Sequence, residues 1–224
     1  MMLLNWVMSK KNKGLLIIIP AFNEERTLNK MIREVKTYGQ VLVVDDGSSD
    51  KTRSIALKSG AIVLSHKKNL GYNRAINSGL KYFLKKKFNK VITIDADGQL
   101  PGKYIYVIKK KFDFKTDVVC GIRIKVNRFG EKIFLFISKI IWGLKDPLCG
   151  TKAFSYNFVK KYYMEPQFDS INTELLIKAK KNKANIKEVM IKNKFRKGQS
   201  RFGEGIKVNL FIILTLFKCI IFIS

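Results

Sequence analysis

Short apolar segments alternate along the chain with longer segments in which apolar residues recur every three or four positions. Uninterrupted apolar runs are typical of parallel strands that are covered on both faces. The runs predict strands at 15–19, 41–44, 61–65, 91–94 and 118–121. The longer segments predict helices at 24–38, 50–59, 71–87 and 101–112. Strands that alternate with helices predict an α/β protein with a doubly wound, mainly parallel sheet.

The composition excludes a disordered chain and leaves two explanations for a large positive charge. Of the 224 residues, 46% are hydrophobic and 12% aromatic, which suits a single domain with a substantial core. The formal net charge is +27. One explanation is binding to a polyanion, either nucleic acid or an anionic bilayer. The other is a compositional bias toward lysine, supported by the lysine runs at 85–87 and 109–111, which fall at predicted helix ends and favour the helix dipole there.

The cysteines and the first residues indicate where the protein works. Cys120, Cys149 and Cys219 show no CxxC spacing, so we expect a reducing compartment, with neither a zinc site nor structural disulfides. Residues 1–8 are apolar, but they lack the leading basic region and the small-residue cleavage site of a signal peptide. We therefore interpret residues 1–14 as an N-terminal extension.

Two later segments are strongly apolar and have two interpretations each. Residues 131–145 predict a helix that either packs on the core or lies in a membrane interface. Residues 206–224 are nearly all apolar toward the end, with Lys218 as an interruption. A helix from residue 209 onward is only ~24 Å long, shorter than the ~30 Å hydrocarbon core of a bilayer. We expect membrane attachment by shallow insertion, with a buried terminal helix as the alternative.

Carboxylates follow two of the predicted strands. Asp45 and Asp46 come directly after 41–44, and Asp95, Asp97 and Gln99 come after 91–94. Open α/β sheets bind ligands at the carboxyl ends of their strands, and hard oxygens suit Mg²⁺ or Mn²⁺ that bridges a diphosphate. Asp46 can accept hydrogen bonds from a base, while Asp45 can hold the following turn. The pattern indicates an enzyme that uses a nucleotide, and the absence of GxGxxG argues against the common dinucleotide-binding fold.

Several motifs in a fixed order resemble the family 2 glycosyltransferases of GT-A fold, and within them the dolichyl-phosphate mannose synthase-like, polyprenyl-phosphate branch. They are IIIPAFNEERTL (17–28), VLVVDDGSSDKT (41–52), NLGYNRAINSGL (69–80), VITIDADGQ (91–99) and DPLCGTKAF (146–154), followed by Glu174 in TELL, IKEVMI (186–191) and RKGQSR (196–201). The resemblance runs from residue 15 onward and implies a GT-A domain over 15–205.

The resemblance also implies the donor site. It places the nucleotide sugar at Pro20, Phe22, Glu24, Asp46, Asp95, Ala96, Asp97, Arg123, Arg196 and Arg201, and Mg²⁺ or Mn²⁺ at Asp95, Asp97 and Gln99. The segment RKGQSR departs from the family pattern Arg-x-x-Gly-x-Ser-Lys, because Phe195 occupies the position of the arginine and Arg201 that of the lysine. Either Lys194 or Arg196 supplies the missing charge.

The acceptor side rests on two carboxylates and on basic residues. Asp146 and Glu174 are the candidate catalytic residues. If a sugar hydroxyl attacks, one of them takes its proton as a general base. If a lipid phosphate attacks, no strong base is needed, and the carboxylate orients groups or holds a cation. Asp146 has a further interpretation as a cap of the turn at Pro147. Lys132, Lys139 and Arg128 are expected to attract the acceptor phosphate and an anionic bilayer.

The resemblance implies metal-dependent, inverting transfer of a hexose from a nucleotide sugar, of the GDP-mannose or UDP-glucose type, to a polyprenyl phosphate. We expect this reaction at the cytoplasmic face of the membrane, with the two apolar segments bringing the active site to the lipid. Two alternatives remain at this point. One is a glycosyltransferase that acts on a sugar hydroxyl of a lipid-linked glycan or polysaccharide. The other, more remote, is a basic nucleic-acid-binding module, which gains only from the net charge and has no recognisable motif; we expect no nucleic-acid partner.

Overall fold

The computed structural model describes residues 13–165, 170–194 and 205–223. Within this part of the chain, seven strands form one sheet in the order β3-β2-β1-β4-β6-β5-β7. The strands are β1 (Lys13–Ala21), β2 (Gln40–Asp45), β3 (Ile62–Ser65), β4 (Phe88–Thr93), β5 (Val118–Arg123), β6 (Lys152–Ser155) and β7 (Ile186–Ile191). Every neighbouring pair is parallel except the two pairs made by β6 with β4 and β5. The predicted α/β class with a mainly parallel sheet is confirmed.

Helices cover both faces of this sheet. They are α1 (Leu28–Val35), α2 (Thr52–Lys58), α3 (Tyr72–Lys86), α4 (Tyr104–Lys111), α5 (Phe129–Trp142), α6 (Tyr156–Tyr162), α7 (Ile171–Lys181) and α8 (Ile206–Ile223). Side chains alternate along β1, so that Leu16 and Ile18 join one core layer while Ile17 and Ile19 join the other. All four are fully buried, and each such side chain contributes about 1.5–3 kcal/mol to folding.

Two predicted helices begin later than expected. The prediction of a helix from residue 24 is wrong, because Thr27 and Leu28 both donate backbone hydrogen bonds to the carbonyl of Glu24 in a turn, and α1 begins only at Leu28. The Glu24 N–H donates a hydrogen bond to Thr52 Oγ1 at 2.7 Å. Similarly, residues 101–103 form a turn before α4. After both β1 and β4, the residues that follow the strand form a loop at the carboxyl edge of the sheet before the helix begins.

The apolar pattern of the sequence does not predict β6, although this strand lies inside the sheet, between β4 and β5. It has only four residues and includes Lys152, a lysine with 1% of its surface exposed. β6 enters antiparallel between β4 and β5 and so separates two strands that a simple doubly wound order would make neighbours. As a result, the segment 146–151 that precedes it crosses the carboxyl ends of the parallel strands.

The two apolar segments form adjacent helices that are each half packed. In α5, Phe134 and Trp142 face the core, whereas Phe136 and Ile140 are exposed. In α8, Leu216 and Cys219 join the same core layer, on α5 and α7. Several large apolar side chains of α8 remain exposed, namely Ile206, Leu210, Phe211, Leu214, Phe217, Ile221 and Phe222. By length and composition α8 is the one candidate membrane span among the described residues.

Candidate active site

A cleft of about 750 Å³ opens at the carboxyl ends of β1, β2, β4 and β5. It gathers most of the residues that the sequence singled out: Pro20, Phe22, Glu24, Asp46, Asp95, Ala96, Asp97, Gln99, Arg123 and Arg128. Asp146, Glu174, Lys132 and Lys139 do not line this cleft. Arg196 and Arg201 lie outside the described residues. Residues as distant in sequence as Pro20 and Arg123 therefore share one volume, because parallel strands all end at the same edge.

The loops after β1 and β2 are hydrogen-bonded to each other on one side of the cleft. The Asn23 N–H donates to Ser48 Oγ at 2.9 Å, and the Ser49 N–H donates back to Asn23 Oδ1 at 2.9 Å. Asn23 adopts a positive φ of 52°, which brings its side chain back across the turn. Asp45 accepts the Ser48 N–H at 3.1 Å, which fits the turn-holding role suggested by the sequence. These contacts fix the wall that contains Pro20 and Phe22.

Asp46 is held from three directions. Its Oδ1 lies 2.6 Å from Nδ1 of His66 and accepts the Leu70 N–H at 3.0 Å, and its Oδ2 accepts the Gly71 N–H at 2.8 Å. The side chain is 4% exposed, yet the residue lines the cleft. Asp46 thereby ties the end of β2 to the end of β3 and to the segment that leads into α3.

Asp95 and Asp97 lie at the far side, after β4. The Tyr72 hydroxyl donates to Asp95 Oδ1 at 2.8 Å, and the Gln99 N–H donates to Asp97 Oδ1 at 3.0 Å. Burial, followed by the charge of Asp97, raises the pKa of Asp95 to about 6. Gly150, at the end of the 146–151 segment, lies so close that a Cβ there would collide with the Asp95 carboxylate. The site therefore places two carboxylates against each other in a tight space.

These residues fit a divalent cation that is shared with a ligand. The described part of the chain contains no group of three or more His, Cys, Asp or Glu side chains that would hold a metal alone. Mg²⁺ is usually bound through one or two carboxylates, with phosphate and water oxygens completing its shell. Two carboxylates, one of which has its pKa raised by burial and then by the charge of the other, suit that arrangement, and Gln99 lines the same cleft.

Arg123, at the end of β5, is fastened to Asp146. Its Nε donates to Asp146 Oδ2 at 2.8 Å, its Nη2 donates to Oδ1 at 2.9 Å, and its backbone N–H donates to Oδ2 at 3.0 Å. Burial opposes the charge of Arg123, but the hydrogen bonds and charge of Asp146 outweigh it and raise the arginine's pKa. Glu131 then bridges Arg123 and Arg128, 3.4 and 3.5 Å from their Nη1 atoms. The two arginines and the two carboxylates thus form one ion-pair network at this wall of the cleft.

The two candidate catalytic carboxylates are both buried away from the cleft. The Asp146 side chain is 0% exposed, and both its oxygens are bonded to Arg123. Its geometry is that of a residue that positions the arginine. Glu174 lies in the first turn of α7 and is 5% exposed. Lys132 and Lys139 are exposed on α5.

Sequence reasoning missed several residues of the site. Tyr72 lies in the motif NLGYNRAINSGL, but the motif alone does not indicate a role for it. Glu131 lies in the predicted apolar helix, where the surrounding residues suggest packing and not chemistry. Asn209 of α8 lines the cleft and accepts the Gly130 N–H through Oδ1 at 2.8 Å. Lys152 is buried beneath the site, donates to the carbonyl of Cys149, and has its pKa lowered by burial. An acidic residue in the first turn of an apolar helix was the signal available for Glu131.

Residues 16–190 match the family model described as "Glycosyl transferase family 2". This chain is a family 2 glycosyltransferase. The match covers more than half of the chain, so the family and the enzyme class expected from the motifs are confirmed.

One relative of this family 2 glycosyltransferase is named for transfer to a polyprenyl phosphate, and another has no assigned activity in its name. This chain is 28% identical to the UDP-N-acetylglucosamine–dolichyl-phosphate N-acetylglucosaminyltransferase of Methanococcus voltae, over 92% of this chain and 95% of the relative. It is 33% identical to an uncharacterized protein of Methanocaldococcus jannaschii, over 89% of each chain. The resemblance to the polyprenyl-phosphate branch is thus confirmed.

A solved structure shows the same fold. Glucosyl-3-phosphoglycerate synthase from Mycobacterium tuberculosis, crystallised with Mn²⁺, UDP and phosphoglyceric acid, superposes with a TM-score of 0.74 at 17% identity. The superposition covers 94% of this chain and 79% of that chain. At this identity the likeness concerns the fold, and it confirms the expected GT-A architecture of the glycosyltransferase.

Proposed function

We propose that this glycosyltransferase uses a divalent cation to transfer a hexose, with inversion, from a nucleotide sugar to a polyprenyl phosphate at the cytoplasmic face of a membrane. The observation that carries the proposal is the content of a single cleft. Asp46 lies on one side, Asp95 and Asp97 lie across from it, and the Arg123–Arg128 pair lies beside the two apolar helices. Donor groups, a cation site and a site for a second anion thus share one volume.

The donor occupies the side formed by β1, β2 and β4. The 20–24 loop and Asp46 receive the base and ribose, and Asp95, Asp97 and Gln99 hold Mg²⁺ or Mn²⁺. When bound, the cation neutralises the negative charge that develops on the departing diphosphate. The Lys194 N–H donates to the Gln99 carbonyl at 2.8 Å, so the chain that continues into RKGQSR starts next to the cation site. This supports a role for that segment, with Arg196 and Arg201, at the donor phosphates.

The acceptor enters beside Arg123 and Arg128. Guanidinium forks match phosphate oxygens, and Glu131 sets the distance between the two forks. A lipid phosphate is already ionised when it attacks the anomeric carbon, so the reaction needs no general base. The burial of Asp146 and its double hydrogen bond to Arg123 favour this acceptor over a sugar hydroxyl, which would require a free carboxylate in the cleft.

The apolar helices bring the cleft to the lipid. α8 packs Leu216 and Cys219 on the domain, so it lies along the protein surface while its opposite face is exposed. This supports an in-plane, interfacial position for α5 and α8, with Lys132 and Lys139 near anionic headgroups. Asn209 of α8 lines the same cleft as Arg123 and Arg128, so a lipid phosphate bound at the surface of α8 lies close to the two arginines.

The test is a donor screen with purified protein in lipid nanodiscs, Mn²⁺ and a polyprenyl phosphate. The relative's name and the UDP-bound neighbour favour UDP-sugars as the first donors, with GDP- and dTDP-sugars beside them. We expect release of nucleoside diphosphate that depends on the lipid, and its loss in an Asp97→Asn variant. Release that requires a glycan hydroxyl would favour the alternative acceptor. If no combination of donor and acceptor releases a nucleoside diphosphate, the proposal is wrong.

A further inference from the structure

His66 links three elements behind the cleft. It follows the last residue of β3, and its backbone N–H donates to the Asp45 carbonyl at 2.9 Å. Its Nδ1 lies 2.6 Å from Asp46 Oδ1, and its Nε2 lies 2.9 Å from Ser78 Oγ on α3. The imidazole is 14% exposed. The sequence contains one histidine, and no step of the proposed transfer uses it.

The hydrogen bonds define the direction of this chain of side chains. An ionised Asp46 only accepts hydrogen bonds, so the Nδ1 of His66 carries the proton that is donated to it. In the neutral imidazole, Nε2 is then an acceptor and receives the hydroxyl proton of Ser78. Ser78 thus orients His66, and His66 orients Asp46. A serine on a helix, a histidine after a strand and a carboxylate after a neighbouring strand form a continuous line.

The Asp46 carboxylate accepts three hydrogen bonds and so has one acceptor position still open. An ionised carboxylate has about four such positions. His66 and Leu70 use those on Oδ1, and Gly71 uses one on Oδ2. Among the described residues, the second position on Oδ2 has no partner. Because Asp46 lines the cleft, that position is suited to an N–H or O–H donor of a nucleoside.

We propose that His66, oriented by Ser78, is a positioning residue that holds the Asp46 carboxylate in the orientation that receives the nucleoside of the donor. This inference rests on the proposed function and deepens it. Without His66, Oδ1 keeps only the Leu70 N–H, and the carboxylate gains freedom about its broad terminal torsion. Nucleoside recognition then weakens, while Asp95 and Asp97, which would hold the cation and with it the diphosphate, keep their own hydrogen bonds.

Two substitutions of His66 separate its two contacts. In His66→Asn the side-chain amide reproduces Nδ1 and keeps an N–H for Asp46. In His66→Gln the amide lies at the position of Nε2 and keeps only the contact with Ser78. Ser78→Ala leaves His66 in place but removes its orienting hydroxyl. If His66 only fills space, Asn and Gln are similarly poor replacements. If it positions Asp46, Asn rescues binding and Gln does not.

The experiment measures, by calorimetry with Mn²⁺, binding of UDP, GDP and dTDP and of inorganic pyrophosphate. Loss of a hydrogen bond to a charged group changes affinity about tenfold. We expect His66→Gln to weaken the preferred nucleoside diphosphate about tenfold, Ser78→Ala to weaken it by a smaller factor, and His66→Asn to stay near wild type. Pyrophosphate binding is expected to be unchanged in all three.

Three results would overturn the inference. These are nucleotide binding by His66→Gln that is as tight as that of wild type, equal weakening by Asn and Gln, and a fall of pyrophosphate affinity in parallel with nucleotide affinity. A wild-type protein that binds pyrophosphate and no nucleoside diphosphate would also overturn it, together with the donor side of the proposed function. Normal nucleotide binding without lipid-dependent transfer would leave the His66 role intact and contradict only the proposed acceptor.

Discussion

Arg123 and Asp146 face each other in a two-pronged ion pair, with Nε 2.8 Å from Oδ2 and Nη2 2.9 Å from Oδ1. Removing one partner of such a buried pair leaves an uncompensated charge, which costs more than the pair itself contributes. Asp146 is therefore part of the arginine's support. Asp146 accepts three hydrogen bonds from Arg123, is 0% exposed and does not line the cleft, so its carboxylate is not presented to a substrate proton there.

The first prediction concerns Asp146→Asn. We expect the variant to lose about 3 kcal/mol of stability, because Arg123 keeps its charge with a weaker partner. The KM for the lipid acceptor should rise while the KM for the donor changes little, and kcat should fall less than the 10²–10⁴-fold attributed to general base catalysis. Urea unfolding and steady-state kinetics check these values.

Glu174→Gln is the matched control, since it neutralises the other candidate carboxylate, which lies on a different element, in the first turn of α7. A loss of turnover beyond a hundredfold in Asp146→Asn, with the acceptor KM unchanged and the protein fully folded, would contradict the positioning role and restore a catalytic base.

The second prediction concerns Asp95→Asn in the absence of metal. Burial and the charge of Asp97 raise the pKa of Asp95 to about 6, from an ordinary value of 3.8. A carboxyl group whose pKa is raised by folding favours the native state while it is protonated, and this stability is lost as pH rises through the folded pKa. At pH 8 the charged Asp95 therefore destabilises the protein by about 2–3 kcal/mol.

We expect Asp95→Asn to melt at a higher temperature than wild type at pH 8, with the difference disappearing near pH 4. Mn²⁺ with nucleoside diphosphate should stabilise the wild type and leave this variant unchanged. Thermal unfolding at both pH values, with and without the ligands, provides the measurement. A variant that is less stable than wild type at pH 8 would contradict this prediction and show that the Asp95 carboxylate stabilises the fold.

How far the sequence predicts this molecule depends on how local each signal is. The parallel strands β1 to β5 were predictable from uninterrupted apolar runs, because a strand buried on both faces must be apolar throughout, as in 91–94. The parallel strand β7 was not predicted, because Lys187 and Glu188 interrupt its apolar run. Asp95, Asp97 and Gln99 were predictable for a related reason, since they follow such a strand directly. β6 was missed because four residues with a buried lysine, Lys152, have no apolar pattern of their own.

Pairs that are distant in sequence were beyond local reasoning. Asp46 and His66 are 20 residues apart, and Arg123 and Asp146 are 23 apart. Their contacts follow from which strands become neighbours, and the sequence does not reveal that order. The site was therefore predictable as a set of residue types, and the roles of its members became clear only from their partners.

The third prediction concerns the joint between α5 and α8. A Cβ added to Gly130 would lie 2.9 Å from the Asn209 carbonyl oxygen and 3.0 Å from the Asn209 Cα. Gly130→Ala must therefore shift α8 away from α5, at a cost of about 1–3 kcal/mol. Since Glu131 follows Gly130 and bridges both arginines, we expect a higher KM for the lipid acceptor with unchanged UDP binding. Asn209→Ala, which removes the hydrogen bond without adding volume, should show a weaker form of the same effect.

The fourth prediction concerns the exposed apolar faces of α5 and α8. Phe136 and Ile140 on α5 are 68% and 69% exposed, and Phe217 on α8 is 55% exposed. Replacing Phe136 and Phe217 together by Glu removes two apolar contacts from the membrane and adds charges that an anionic bilayer repels. We expect binding to vesicles with anionic lipid to fall at least tenfold in a flotation assay, with activity on a water-soluble, short-chain acceptor retained.

Phe114 provides the control for this surface, because it is 90% exposed but lies before β5, at the end of the sheet opposite the cleft. Phe114→Glu should leave vesicle binding unchanged if α5 and α8 form the membrane face. Lys132→Ala and Lys139→Ala separate the electrostatic part, since each lysine near an anionic surface contributes about 1 kcal/mol, and that contribution weakens with added salt. Equal losses from Phe114→Glu and from the helix variants would indicate unspecific hydrophobic adsorption and contradict the proposed orientation.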